Sequence, residues 1–255
     1  MQGLLDRIVA AKREEIRSLK SIQPARVESH FLAAVKRAPG DSVRVIAECK
    51  KTSPSSGRMR ETYEPEKIAT EYQRLGASAL SVLTDRQFFE GDPAHVAMAK
   101  KSGLPALRKD FVIDEKQIAD SAVLGADAVL LIVRILEVSQ LADYIAYADS
   151  LGLPALVETH NEKEIEIAMR VKSAIIGINH RDLDTLKMDL SLTPRLAPVV
   201  RRELPGCVIV AESGVESRDG LKTVDEFVDS VLIGTAFMKS QNVASTWQEI
   251  FGGAR

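Results

Sequence analysis

Seven charged or amide side chains sit at the ends of short apolar runs: Glu48 and Lys50, Lys109, Glu158, Asn179 and Arg181, and Glu212. Lysines and carboxylates gathered in one place can pass protons to and from a bound reactant. A lysine set among other cations can instead attack a carbonyl as a nucleophile. Glu48 and Lys50 alone fit either a structural ion pair or an active site. Charges are seldom buried without partners, and seven polar groups converging on one mouth are hard to explain as ion pairs. Residues two apart on a strand share a face, so Glu48 goes with Lys50, Asn179 with Arg181, and Lys109 with Leu107. If those faces point inward, two lysines, an arginine and two or three carboxylates ring a single cavity.

The elements that must position these groups are eight short aliphatic and β-branched runs, at 43–50, 79–83, 106–109, 128–133, 155–158, 175–179, 208–212 and 231–234. Each interval is long enough for a helical crossover between parallel strands, which takes a dozen residues or more. Several helix starts are marked: Asp92 before Pro93, Pro65 at a first helical position, and Ser217 as a cap. Gly76, Gly103, Gly125 and Gly152 punctuate helix ends. Eight βα units, each strand apolar on both faces, predict a parallel (β/α)8 TIM barrel of the α/β class, with the strand-end polar residues around its active site. No Gly-x-Gly-x-x-Gly follows the first strand, which counts against a dinucleotide fold.

Residues 1–42 read as a helical extension packed on a 43–255 barrel, all one domain. A helix is expected at 4–19, with Leu4, Leu5, Ile8, Val9, Ile16 and Leu19 on one face. Arg7, Lys12, Arg13 and Arg17 fall elsewhere and read as a solvated face. A second helical piece is expected near 27–36.

Two strand-end loops offer backbone N–H groups to an anion: Ser213 and Gly214 after the seventh run, and Gly234 and Thr235 after the eighth. That is where this fold repeatedly binds phosphate. The 51–64 segment is long for a βα loop, as functional loops often are. Phe88, Phe89 and Phe111 fit either core packing or a wall for an aromatic substrate. His30, His95, His160 and His180 are scattered without paired ligand spacing, so no metal site is expected.

The chain has 255 residues, 45% hydrophobic and 27% charged, as in an ordinary folded protein. Lys plus Arg number 34 against 36 Asp plus Glu, a net charge of -2, which makes nucleic acid an unexpected partner. Cys49 and Cys207 read as small buried hydrophobes in a reduced compartment. No apolar run approaches membrane-spanning length and the start lacks a signal-peptide pattern, so a cytoplasmic protein without membrane contact is expected.

Six stretches resemble, in family order, the motifs of the indole-3-glycerol-phosphate synthase family. They are Glu48-Cys49-Lys50-Lys51-Thr52-Ser53-Pro54-Ser55; Ser81-Val82-Leu83-Thr84-Asp85 with Phe89-Glu90-Gly91; Leu107-Arg108-Lys109-Asp110-Phe111; Leu156-Val157-Glu158; Gly177-Ile178-Asn179-His180-Arg181-Asp182-Leu183; and Ala211-Glu212-Ser213-Gly214. The start Leu5-Asp6-Arg7-Ile8-Val9-Ala10-Ala11-Lys12 is similar as well. The resemblance implies conversion of 1-(2-carboxyphenylamino)-1-deoxyribulose 5-phosphate to indole-3-glycerol phosphate in tryptophan biosynthesis, with loss of CO2 and water and no cofactor.

It further implies Lys109 as general acid, Glu158 as general base, Lys50 holding the anionic substrate and delivering a second proton, and Glu48 orienting the lysines. Asn179 and Arg181 would orient the intermediate. Ser213, Gly214, Gly234 and Thr235 would take the phosphate, with Glu212 beside them, while Phe89, Phe111 and Leu232 would line the aromatic ring. The implied partner is a small phosphorylated aromatic substrate. A monomer is expected, with association with other tryptophan-pathway enzymes left open. His180 and Asp182 stand where many members carry Asn, and Thr235 occupies a variable position. The rival readings are a Schiff-base aldolase and a phosphate-binding barrel without activity.

Overall fold

A computed structural model describes residues 3–182 and 185–252; Leu183, at the end of the fifth motif, lies outside the described residues. The eight apolar runs form strands β1 (Arg44–Cys49), β2 (Ala79–Leu83), β3 (Ala106–Lys109), β4 (Ala128–Ile132), β5 (Ala155–Thr159), β6 (Ile175–Asn179), β7 (Val208–Glu212) and β8 (Ser230–Ile233). All neighbours pair in parallel, and β1 bonds to both β2 and β8, closing the barrel. Helices join successive strands around the outside. The expected (β/α)8 architecture is the observed one.

Strand alternation decides what faces inward. Ile46, Leu107, Leu130, Leu156, Val210 and Leu232 cluster inside the barrel, while Val45, Val82, Val129, Val157, Ile209 and Val231 belong to the outer core that the helices cover. Two residues on from inward members come Glu48, Lys109, Glu158 and Glu212, so the same period delivers them to the interior. The register sets Leu83 opposite Lys109, Ile132 opposite Glu158 and Asn179 opposite Glu212, which brings the polar groups to one end.

The crossover helices carry the expected punctuation. Pro65 opens the helix Pro65–Leu75, which Gly76 ends with a left-handed φ of 96°. The Ser217 side chain accepts from Gly220 N. Asp92 Oδ1 accepts from Ala94 N at 2.9 Å, but Pro93 is itself the cap residue and the helix is Ala94–Lys100, one position later than the sequence reading.

The first forty residues differ more. Helix α1 (Leu4–Glu15) gives way to a single 3-10 turn at Ile16–Ser18 rather than running to residue 19. In place of a helix over 27–36 there is only α2 (Phe31–Val35). Backbone and side-chain groups before it are committed elsewhere: Val27 N donates to Leu151 O at 2.7 Å and Ser29 Oγ to Asp127 O at 2.6 Å. The two helices go to opposite ends of the barrel. Phe31 and Val35 join the interior cluster, and Ser230 Oγ, at the start of β8, donates to Val35 O at 2.6 Å. Burying two such side chains contributes about 1.5–3 kcal/mol each, so α2 plugs the end where the strands begin. α1 lies across the other end, and Leu4, Leu5 and Ile8 line the cavity there. Lys12, read as part of a solvated face, is instead 1% exposed.

Candidate active site

The strand ends open into a cavity with about 1120 Å³ of free space. All seven strand-end polar residues line it, as do Phe89, Phe111, Leu232, Ser213, Gly214, Gly234 and Thr235. Its centre is Lys109, whose Nζ donates to Glu158 Oε2 at 2.8 Å and to Glu212 Oε2 at 3.1 Å. Lys50 Nζ donates to Glu48 Oε1, and Ser81 Oγ reaches Glu48 Oε2 at 3.4 Å. Among the described residues no carboxylate pairs with the Arg181 guanidinium, which leaves that cation to face the cavity.

Room for these carboxylates is made by glycines on neighbouring strands. A Cβ on Gly177 would lie 1.9 Å from Glu212 Oε1, and one on Gly234 would lie 2.3 Å from Glu48 Oε1. Gly234, expected only at the phosphate corner, therefore also seats Glu48.

Unequal surroundings separate the protonation states of the two acids around Lys109. Burial disfavours ionised Glu158, yet Lys109 and His160 outweigh it and hold this carboxyl well below the usual range. Burial, reinforced by the charge of Glu158, pushes Glu212 up to about 8 against the pull of Lys109. Lys109 itself, which burial alone would neutralise, is held above the ordinary lysine range by Glu158, Glu212 and Glu48. Lys109 is thus held as an ammonium, and the two carboxyls beside it are driven in opposite directions, Glu158 down and Glu212 up. Groups whose environments drive them apart in this way are suited to distinct acid and base roles.

Sequence reasoning missed the support behind Glu158. His160 Nε2 lies 3.1 Å from Glu158 Oε1, and Nδ1 lies 2.9 Å from Glu164 Oε2. Arg134 Nε donates to Glu164 Oε1 at 3.0 Å. Burial opposes charge on His160, but the two glutamates raise it to about 9. The available signal was spacing: His160 is two residues past Glu158, with Glu164 one helical turn further on.

The apolar wall combines Phe89 and Phe111, with ring centroids 6.0 Å apart, and Leu4, Leu5 and Ile8 from α1. Opposite is the turn after β7. Ser213 and Gly214 have φ values of 68° and 80°, so the backbone adopts consecutive left-handed residues there. A serine in that conformation stores strain, a feature that clusters at ligand sites. The His180 ring braces the turn, with Nδ1 2.7 Å from Ser213 O and Nε2 2.7 Å from Thr193 Oγ1. His180, which stands where many family members carry Asn, thus contacts the turn after β7.

The 51–64 loop is partly ordered as a small hairpin pairing Thr52–Ser53 with Gly57–Arg58. It is fastened to Glu90 by Lys51 Nζ at 2.9 Å and Arg58 Nη2 at 3.0 Å. Both cysteines are free and buried. Among the described residues no group of His, Cys, Asp or Glu is arranged to hold a metal ion, and no helix is long and apolar enough to cross a membrane.

A closed parallel barrel with its ionisable groups gathered at the strand ends defines an enzyme of the (β/α)8 class. A family model described as indole-3-glycerol phosphate synthase matches residues 5–250. Proteins described by that same name are 40% identical in Campylobacter curvus, covering 98% of this chain and 100% of the relative, and 39% identical in Leptospira interrogans, covering 97% of each. One from Dehalococcoides mccartyi is 43% identical, over 83% of this chain and 82% of its own. The chain belongs to the indole-3-glycerol phosphate synthase family, carboxy-lyases of tryptophan biosynthesis that act on a small phosphorylated aromatic substrate. Among solved structures, thiamine phosphate pyrophosphorylase from Pyrococcus furiosus matches 82% of this chain and 93% of its own with a TM-score of 0.58 at 14% identity, a likeness of fold alone.

Proposed function

We propose that this protein converts 1-(2-carboxyphenylamino)-1-deoxyribulose 5-phosphate into indole-3-glycerol phosphate, CO2 and water. The observation that carries this reading is Lys109, held between Glu158 and Glu212, with an apolar wall on one side of the cavity and the Ser213–Gly214 turn on another. The substrate has matching parts: an aromatic ring, a central ketose carbonyl and a terminal phosphate.

In this reading the ring packs against Phe89, Phe111 and Leu232, and the phosphate meets backbone amides of Ser213, Gly214, Gly234 and Thr235. Arg181 and Lys50 face the substrate's negative charges, and Asn179 helps orient the intermediate. The carboxylate-bearing ring carbon attacks the ketose carbonyl, and Lys109 protonates the oxygen as it becomes an alkoxide. An alkoxide is a stronger base than an amine, so a lysine of raised pKa still gives up its proton at that point. Loss of CO2 restores aromaticity. The hydroxyl then leaves as water with a proton from Lys50, while Glu158 removes the proton lost in dehydration and Glu48 holds Lys50 in place. Positioned proton transfer contributes on the order of 10² to 10⁴-fold, and folding a flexible ketose into a reactive geometry adds to it.

The aldolase alternative needs a lysine that is neutral enough to attack a carbonyl, which burial or nearby cations bring about. Lys109 is paired with carboxylates and shifted the other way, which favours the acid role. The free, buried cysteines fit the cytoplasmic location expected from the sequence. The test is to supply the carboxyphenylamino ketose phosphate to purified protein and follow indole fluorescence. Product without added cofactor is expected. Folded protein that forms none, beside an active family enzyme as control, overturns the reading.

A further inference from the structure

The ammonium of Lys12 is sealed inside the protein. Leu5, Ile8 and Lys12 form the buried stripe of α1, and Lys12 Nζ lies 2.8 Å from Asp110 Oδ1, 3.0 Å from Asp85 Oδ2 and 2.8 Å from Glu15 Oε2. Burial alone would neutralise it; Asp110 and Asp85 hold it charged. Buried ions are tolerated only when their partners are well placed.

Both aspartates are also backbone clamps. Asp85 Oδ1 accepts from Phe88 N at 2.6 Å and Phe89 N at 3.3 Å, starting the short helix Arg86–Phe89. Asp110 Oδ1 accepts from Phe111 N at 2.8 Å. One ammonium therefore ties together the backbone supports of the two aromatic rings that face each other in the cavity. The supports are not equivalent. Asp110 has a second cation, Arg108, at 3.3 Å, and a bond from Thr84 at 2.6 Å. Lys12 is the single charged partner of Asp85 among the described residues. The same helix sets Leu5 and Ile8 on the cavity that the rings line.

We infer that Lys12 is a positioning residue for the aromatic half of the substrate: by bridging Asp85 and Asp110 it fixes Phe89 against Phe111 and seats Leu5 and Ile8 on the same cavity. It touches neither substrate nor the Lys109 centre. The inference rests on the proposed function for the identity of the aromatic ligand.

The test uses Lys12→Met, which keeps chain length without charge, and Asp85→Asn, which keeps an oxygen for the Phe88 and Phe89 amides but loses the charge that Lys12 meets. Binding of anthranilate and of inorganic phosphate is measured by calorimetry, with kcat and KM for the ketose phosphate measured alongside. Circular dichroism at the same temperature reports the fold. Both variants are expected to bind anthranilate about tenfold or more weakly and to show a matching rise in KM, with phosphate binding and kcat changed by less than about threefold. Lys12→Arg, which restores the cation, is expected to recover part of the loss. Unchanged anthranilate binding, equal weakening of both ligands, or loss of fold in both variants overturns the inference. Wild-type protein that binds anthranilate and phosphate but turns over no substrate defeats the proposed function instead and leaves the binding comparison standing.

Discussion

Lys109 and Glu158, 49 positions apart in sequence, meet at 2.8 Å across the barrel mouth, and the other oxygen of the same carboxylate faces His160. Glu158 is therefore held between two cations, whereas Glu212, among the described residues, has only Lys109 and shares it. This asymmetry, rather than any difference in residue type, drives the Glu158 carboxyl below the usual range and the Glu212 carboxyl above it.

Replacing Lys109 by alanine removes the shared cation and the proposed proton donor together. A fall in kcat of about 10² to 10⁴-fold is expected, with the barrel retained by circular dichroism. Near-normal kcat in this variant removes Lys109 from the acid role.

Gly177→Ala puts a methyl group where Glu212 Oε1 lies. Overpacking of this kind costs about 1–3 kcal/mol, and the displaced carboxyl should lower kcat as well. Urea unfolding of Gly177→Ala, Glu212→Ala and the double variant is the check: the double variant should be more stable than the sum of the singles, because the clash is gone. Additive losses refute the steric account.

The raised pKa of His160, about 9 against an ordinary 6.5, makes a stability contribution that is fully present below pH 6.5 and lost as pH rises through 9. Its size is roughly 3 kcal/mol. Glu212, raised from 4.5 to about 8, acts in the same sense over its own window, with stability lost as pH rises through 8. Urea unfolding across pH 6 to 9.5 should therefore show wild-type stability declining, with a shallower decline in His160→Gln, which lacks the His160 part and keeps the rest. Parallel curves for the two proteins rule out the His160 contribution.

His180 is depressed chiefly by burial. At neutral pH it is uncharged, with Nδ1–H donating to Ser213 O and Nε2 accepting from Thr193. His180→Ala frees the Ser213–Gly214 turn. A net loss of about 1 kcal/mol is typical for one such bond, so inorganic phosphate should bind about fivefold more weakly and KM should rise alike while kcat holds. A fall in kcat with KM unchanged removes the turn from phosphate binding.

The barrel was legible because each strand repeats one rule, alternation, and because the apolar runs stop abruptly at charged residues. That rule carried Glu48, Lys109, Glu158 and Glu212 to the interior without reference to distant contacts. Lys12 shows where it fails. It stands on the helical stripe with Leu5 and Ile8, yet its charge assigned it to solvent, since its partners Asp85 and Asp110 lie in the second and third βα units. His160 reads as a lone histidine until β5 and the helix after it place Glu158 and Glu164 on either side. The shortening of α2 follows from hydrogen bonds to Leu151 and Asp127, which no local propensity encodes.

Lys12 also constrains the order in which the molecule takes shape during synthesis. α1 leaves the ribosome ahead of every barrel strand, and twelve residues make too short a helix to persist alone in water. The buried site that receives its ammonium does not exist until the loops after β2 and β3 have been translated and brought together. The nascent chain therefore carries Leu5 and Ile8 uncovered through that interval, and an element made before the barrel is fixed only once the barrel can receive it.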